Sequence, residues 1–338
     1  MVPKPLVICL TPVRNEAWIL DVFLKCTSLW ADRIIIADQQ STDGSREIAS
    51  RYPKVILIDN LSSDYNEVAR QKILLTEARK IKGKRLLITL DADELFTSSY
   101  SKTNEWQQML DASEGSVFGF RWINLCPGFK KCWITDGYFP WAYMDDGAEH
   151  VGLEMHSSRV PIKDWAKIVP MQQIKVLHYQ YTDWARMESK HRYYQCLERI
   201  KYPHKHAIEI FRMYHHMYAI PEEKKIVSRE EWFRAYEKKC IPVRSLPVGG
   251  GEHFWFDQEV MQKIEAQGAS YFRRESIWDV DWCEKARKSK CVQSEQFKDP
   301  RSFIDKLVQA YLKETLKILH TRLVKILDLL VRTFLWRQ

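Results

Sequence analysis

Short apolar runs alternate with stretches of helical spacing through residues 4–100. Leu6-Val7-Ile8-Cys9-Leu10, Arg33-Ile34-Ile35-Ile36-Ala37, Val55-Ile56-Leu57-Ile58 and Leu86-Leu87-Ile88-Thr89-Leu90 are brief, rich in branched side chains and closed by turn residues. That pattern predicts buried strands. Between them, residues 18–30 and 67–80 carry apolar positions three and four apart, which predicts helices. Ser41 or Thr42 is placed to cap a further helix running to Ser50. Strand and helix in alternation predict an α/β fold: a mostly parallel sheet with right-handed crossovers, flanked by helices.

The fourth strand stops on three carboxylates, Asp91, Asp93 and Glu94, and the second stops on Asp38. Parallel strands end at the crevice where ligands bind in α/β sheets, so Asp38 and Asp91 are expected at one edge. In extended chain, residues two apart point the same way, which would let Asp91 and Asp93 converge on a hard cation such as Mg²⁺ or Mn²⁺. The plain alternative is a strand that runs out into a polar turn. Neither a G-x-G-x-x-G fingerprint nor a P-loop is present, which argues against dinucleotide enzymes and NTPases.

Beyond residue 100 the periodicity weakens. Residues 117–124 read as a strand, and residues 143–161 as a polar, glycine-containing loop with no amphipathic period. In that loop Glu149, Glu154 and His156 are either a catalytic base or ordinary loop residues, and Asp145 and Asp146 are turn formers. His178 ends the short run Val176-Leu177, as a metal ligand, a phosphate contact or a core histidine. Asp183 starts a helix, as its N-cap or as the base. His204, His206, His215 and His216 lack the spacing of a metal site and are expected to be structural. Residues 222–239 read as a charged helix, and Pro242 to Gly251 as a hinge or flap. Phe254-Trp255-Phe256 and Trp278 to Trp282 offer sugar-stacking faces or core packing.

Residues 303–336 read as one long helix, with a wide apolar stripe opposed by Lys306, Lys313, Lys317, Arg322, Lys325 and Arg332, then Arg337. A basic amphipathic helix suits an anionic membrane surface, an oligomer bundle or packing on its own domain. The net charge of +8 favours anionic partners. No recognition helix or RNA motif accompanies it, so nucleic acid is not expected. The Cys 8 include no C-x-x-C pair, which predicts free thiols in a reducing compartment. With no secretory signal and no run long enough to span a bilayer, the expected location is cytoplasmic, peripheral at the inner face of the plasma membrane.

Three segments together resemble the family 2 glycosyltransferases: Thr11-Pro12-Val13-Arg14-Asn15-Glu16, Ile34 to Ser45 with Asp38-Gln39-Gln40-Ser41-Thr42-Asp43-Gly44, and Leu90-Asp91-Ala92-Asp93-Glu94. Each follows a predicted strand, in the family's order. The resemblance implies the GT-A fold and inverting transfer of a sugar from a nucleotide-sugar donor, UDP-linked. It implies that Pro12, Asn15, Glu16, Asp38, Asp43, Arg70, Asp91 and Ala92 bind the donor. Asp38 would lie by its base or ribose, Asp43 would order the loop and Arg70 would face the phosphates. Asp91 and Asp93, with His178 added as a candidate, would hold a divalent Mn²⁺ or Mg²⁺ on the diphosphate. Gln39 and Gln40 depart from the family, where a second Asp and a small residue are common. Residues 176–194 resemble a branch acting on lipopolysaccharide-type acceptors. The implied layout is a catalytic domain over 1–250, split into nucleotide (1–100) and acceptor (101–250) halves. An irregular region over 251–300 would complete it, and the basic helix would occupy 301–338.

The chemistry suits these residues. A departing nucleotide leaves negative charge on its diphosphate, which a metal and nearby cations offset, while a base takes the acceptor's proton. The expected acceptor is a glycan or a lipid-linked glycan of a surface polysaccharide, and a homo-oligomer is compatible. An Asp-x-Asp phosphohydrolase is the alternative, although its motif normally sits on the first strand. A non-catalytic sugar- or nucleotide-binding protein is the other.

Overall fold

The apolar runs become strands in the computed structural model, which describes residues 4–246, 254–288 and 294–336. The chain begins β1 (Leu6–Val13), α1 (Ala17–Thr27), β2 (Arg33–Asp38), α2 (Ser45–Ser50), β3 (Val55–Asp59), α3 (Glu67–Arg79) and β4 (Arg85–Thr89). β1 lies between β2 and β4, parallel to both, and β2 pairs in parallel with β3. Helices cover both faces of such a sheet, so its strands are continuous hydrophobic runs. Ile34, Ile35 and Ile36 of β2 are accordingly all fully buried.

Next come β5 (Glu94–Phe96), α4 (Asn104–Leu110), β6 (Val117–Phe120), β7 (Trp122–Leu125), β8 (Lys131–Ile134), β9 (Phe139–Met144), β10 (Ile168–Pro170) and β11 (Val176–His178). After α5 (Trp184–Lys201) and α6 (Ala207–Tyr214) the chain returns with β12 (Ile226–Val227) and α7 (Arg234–Glu237). The strands form a seven-stranded sheet, β10-β6-β9-β4-β1-β2-β3, and a five-stranded one, β12-β8-β7-β11-β5. Only β9 runs antiparallel to its neighbours in the larger sheet. The α/β class with a mostly parallel sheet is therefore as predicted. Residues 117–124 are not one strand, however: β6 and β7 belong to different sheets, and the chain changes sheet at Arg121. It changes sheet in the same way between β4 and β5, at residues 90–93.

The described residues up to Asp183, with those from Ile226 to 246, form one compact unit. Those from Trp184 to Lys225 group with the described residues from 254 onward in a second unit. This corrects the boundary expected at 250, because residues 184–225 belong with the C-terminal part. The cause is buried pairing that sequence spacing does not reveal. Within the second unit Arg199 of α5 pairs with Glu275 at 2.6 Å, and Ser189 donates to Asp257 at 2.7 Å. Residues 222–239 are likewise not one helix. β12 pairs with β8, while Trp232, Phe233 and Tyr236 are drawn into the core of the first unit. Of the expected hinge, Gly249, Gly250 and Gly251 lie outside the described residues, as does Arg337.

The second unit continues with α8 (Trp255–Gln267), α9 (Trp282–Lys288), α10 (Phe303–Glu314) and α11 (Arg322–Leu330). The long tail helix is thus broken. Thr315 returns its hydroxyl to the Tyr311 carbonyl at 2.8 Å, and Thr321 caps α11 by accepting from the Val324 amide. Arg212 of α6 fastens the bend by reaching both Thr315 and Asp328, at 2.7 and 2.9 Å. His206 and His215 bond backbone groups here. His206 caps α6 by accepting from the Ile208 amide, and its other ring nitrogen lies 2.9 Å from the Trp336 carbonyl oxygen. His215 Nδ1 is 2.9 Å from the Phe211 carbonyl oxygen. Among the described residues no helix is long and apolar enough to cross a membrane, and the described cysteines are free thiols.

Asp145, expected as a turn former, accepts from the Gly147 amide two residues on at 3.1 Å and also anchors the first unit. Its fully buried carboxylate takes hydrogen bonds from Arg79 of α3 and Arg85 of β4, both at 2.9 Å. Burial alone would raise its pKa, but the two arginines outweigh that and hold it below the usual carboxylate range. Removing a buried ionic partner strands the charges it balanced. Asp145→Ala is therefore expected to cost about 3 kcal/mol in urea unfolding. Because the folded-state pKa is lowered, the wild type's advantage should be full above the ordinary Asp value and shrink as the pH falls through the folded one.

Candidate active site at the carboxyl edge of the parallel strands

β1 connects through α1 to β2 on one side, and the chain later returns through α3 to set β4 on its other side. Connections that leave neighbouring strands in opposite directions open a crevice at their carboxyl ends. Residues 14–16, 38–45 and 91–94 all leave the sheet at this edge.

The first two segments are laced together. The Asn15 amide donates to Ser41 Oγ at 2.9 Å, and its side-chain oxygen accepts from the Thr42 amide at 2.8 Å. The Ala17 amide donates to Asp43 Oδ2 at 2.9 Å, while Asp43 Oδ1 accepts from Ser45. Glu16 joins through its amide, which donates to Ser45 Oγ. The lacing requires a left-handed turn at φ +94° that glycine, here Gly44, adopts without strain. Pro12 is buried opposite Ala37 in the β1–β2 register. Gln39 donates to the carbonyls of Ser62 and Asp64, both at 2.8 Å, and Gln40 to that of Leu61 at 2.7 Å. The two glutamines thus hold the loop after β3.

Asp38 is 1% exposed. Its Oδ2 accepts from Arg46 at 2.8 Å and from the Ser41 amide at 3.2 Å, and Arg46 also pairs with Asp59 at 2.8 Å. Asp38 Oδ1 is buried and accepts no hydrogen bond. A buried carboxylate oxygen left unsatisfied costs free energy, and a ligand hydroxyl or amide would relieve that cost.

The carboxylate segment is a closed turn, which corrects the extended geometry expected of it. The Glu94 amide donates to the Asp91 carbonyl, and Glu94 Oε2 accepts from the Asp91 amide, both at 3.0 Å. Within the turn the Asp91 side chain is 39% exposed, while Asp93 is only 3% exposed. Ala92 is buried in the core beneath it. Glu94 is fully buried and accepts from Trp122 Nε1 at 2.7 Å. Arg159 grips both sides of the turn, contacting Glu94 with its two terminal nitrogens and Asp91 Oδ2 at 2.7 Å. Its guanidinium lies 5.3 Å from the Trp141 ring centre and 5.9 Å from that of Trp122. Burial pushes the Glu94 carboxyl up to about 7, with Asp91 and Asp93 adding to the rise while Arg159 opposes it. Despite burial, the same carboxylates hold the Arg159 proton more tightly still.

The loop bearing Arg159 is pinned to α3. The Glu67 amide donates to the Glu154 carbonyl at 2.9 Å, and Glu67 Oε2 accepts from the Ser157 amide at 2.7 Å. His150 Nε2 lies 2.7 Å from the Ser158 carbonyl oxygen. Among the base candidates, Glu149 is exposed and pairs with Lys72 at 3.3 Å, while Glu154 and His156 are exposed on this loop, His156 with φ +61°. Asp183 is buried at the end of the first unit, just before α5. Arg70 is half-buried over the Tyr65 ring at 4.6 Å, and Tyr65 donates to Glu67. His178 stands opposite Glu94 in the β5–β11 pair. Its Nδ1 is 2.8 Å from Asn124 Oδ1 and its ring stacks on Trp122 at 4.9 Å. His178 therefore buttresses the tryptophan that holds Glu94.

Among the described residues no three His, Cys, Asp or Glu side chains are gathered as a metal cage. Mg²⁺ and Mn²⁺ at nucleotide sites need no such cage, since one or two carboxylates, waters and phosphates suffice. The exposed carboxylate of Asp91 fits that mode, in exchange for or beside Arg159. Sequence reading missed Arg159 and Trp122. Arg159 lies in a loop without periodicity and Trp122 in a stretch read only as a strand, and only the carboxylates that Arg159 neutralises hinted that a buried cation was needed.

No protein-family model matches the chain, and no curated protein matches it. Solved structures show partial likenesses. The chain aligns over 36% of its length with 41% of a mycobacterial protein, at 14% identity and TM-score 0.27. It aligns over 36% with 61% of a 4-diphosphocytidyl-2C-methyl-D-erythritol synthase, at 12% identity and TM-score 0.26. It aligns over 53% with 90% of the inositol-1-phosphate CTP transferase from T. maritima, at 9% identity and TM-score 0.29. The first two matches thus cover less than two thirds of the solved chains. At these scores they carry no functional argument, which rests on the site itself.

Glu94 holds its proton more tightly folded than unfolded. Its contribution to stability is complete below the ordinary value of 4.5 and is lost as the pH rises through about 7. Melting curves should show the wild type losing stability relative to Glu94→Gln between about pH 5 and about pH 8. A constant difference across that range would remove Glu94 from the titrating set.

Proposed function

We propose that this chain is a metal-dependent, inverting glycosyltransferase. It moves a sugar from a nucleotide-sugar donor, UDP-linked, to a glycan or lipid-linked acceptor of a surface polysaccharide. The observation that carries the reading is the pairing, at one switch-point crevice, of a buried Asp38 with an open acceptor oxygen and a solvent-facing Asp91. The phosphohydrolase alternative is disfavoured because the carboxylate turn follows the fourth strand of the sheet and not the first.

Asp38 Oδ1 would accept from a ribose hydroxyl or base amide, its orientation fixed by Arg46 and the Ser41 amide. Asp91 would hold a divalent cation that offsets the negative charge of the departing diphosphate. Arg159, charged and immobilised beside Asp91, supplies a second positive group there without reorganising during the reaction. Trp122 and Trp141 shield that cation from water on the protein side. The acceptor proton would pass to Glu149, Glu154, His156 or Asp183, which single alanine variants would separate by their pH–rate profiles.

Thermal shift against nucleotides and nucleotide-sugars, with and without Mn²⁺, tests the reading. One donor at a hundredfold excess over its Kd should add about 2.7 kcal/mol. Asp91→Asn should remove the metal-dependent part of the shift; because it also weakens the ion pair with Arg159, each shift is read against the variant's own unliganded melting point. Asp38→Asn should weaken nucleotide binding with or without metal. No shift with any nucleotide would end the donor-site assignment.

A further inference from the structure

The tail of the second unit has two apolar faces, and only one is used. Val308, Leu312, Leu316, Val324 and Trp336 pack against Ala207, Ile208 and Phe211 in a closed cluster. The burial needs of α10 and α11 are met on that side. On the other side, Leu323, Ile326, Leu330 and Phe334 follow helical spacing of three and four along one stripe. Leu323 is 62% and Phe334 68% exposed, and at the start of α10 Phe303 is 81% exposed. Isolated exposed apolar residues are ordinary, but an ordered stripe marks an interaction surface.

The charges around it select the partner. Lys313, Lys317, Arg322 and Lys325 are all exposed, and none forms an ion pair among the described residues. Acids nearby do not neutralise them. Asp305 is buried, bonding Ser302 and Trp336, and Asp328 is engaged by Arg212 and Tyr311. Glu314 is the one exposed acid of the described residues in 303–336. Two copies meeting on this face by two-fold symmetry would set these cations against their own counterparts. A surface that is apolar within and negative at its rim satisfies both the stripe and the flanking cations.

We propose that the outer face of α10 and α11 docks on the surface of an anionic lipid bilayer. The helix would lie in the headgroup plane, with Leu323, Ile326, Leu330 and Phe334 against the acyl boundary and the basic side chains among the phosphates. It does not span: α11 and the five-residue π-helical turn that follows it, Val331–Leu335, which carries Phe334, make at most about 21 Å of helix against a hydrocarbon core of about 30 Å. The proposal is independent of the donor site, so either can fail alone.

The test is flotation of the full chain with vesicles of phosphatidylcholine alone and of phosphatidylcholine with phosphatidylglycerol. The chain should float with the anionic vesicles only and be released by salt. Each basic residue at such a surface contributes about fivefold, so Lys317→Gln with Arg322→Gln should weaken partitioning about 25-fold. Leu323→Glu with Phe334→Glu, both at exposed positions, should abolish it without changing the circular dichroism or the melting point. Failure of the wild type to float, or salt-insensitive flotation equal on both vesicles, would overturn the proposal. So would a wild-type dimer in sedimentation velocity that Leu323→Glu converts to monomer, because the face would then belong to a second copy.

Discussion

One guanidinium governs the carboxylate turn. Three acidic side chains within four residues, one of them fully buried, would repel one another and resist desolvation. Arg159 resolves this by bonding Glu94 and Asp91 together, and two tryptophans wall it in. The arrangement is a compact charge store: a buried cation at the rim of a crevice, with one carboxylate still facing solvent. Such a rim suits the handling of an anionic ligand, because its dipoles and charges are already in place.

The rest of the first unit keeps that store in position. The turn falls where the chain leaves the seven-stranded sheet for the five-stranded one, so its geometry is set by both sheets at once. β11 lies beside β5 and supplies His178 to buttress Trp122, while Glu67 at the start of α3 pins the loop carrying Arg159. Asp145, clasped by Arg79 and Arg85, fixes the beginning of the same loop. A long, irregular and polar segment is thereby made rigid through ionic and backbone contacts, without secondary structure of its own.

The second unit follows a different logic. Its helices are joined to later parts of the chain by ion pairs that are largely buried, such as Arg199 of α5 with Glu275, Arg192 of α5 with Asp257 of α8, and Arg212 of α6 with Asp328 of α11. These pairs hold α5 and α6 to the later helices. They also leave a helical tail whose inner face is satisfied and whose outer face is not.

By itself the sequence determined the alternation of strand and helix, the parallel sheet and the delivery of Asp38 and Asp91 to one edge. Those features depend on local apolar periods and on where short runs stop, which are properties of neighbouring residues. Only the tertiary structure decided how Arg159 clamps the carboxylate turn, how His178 stacks on Trp122 and how Arg212 fastens the break in the tail helix. Each depends on a partner distant in sequence. Arg159 lies 68 residues from Asp91, Asn124 lies 54 from His178, and Arg212 lies 116 from Asp328. Charge and hydrogen-bond demands leave no periodic trace in the chain, because their solution is a meeting in space between segments that sequence order keeps apart.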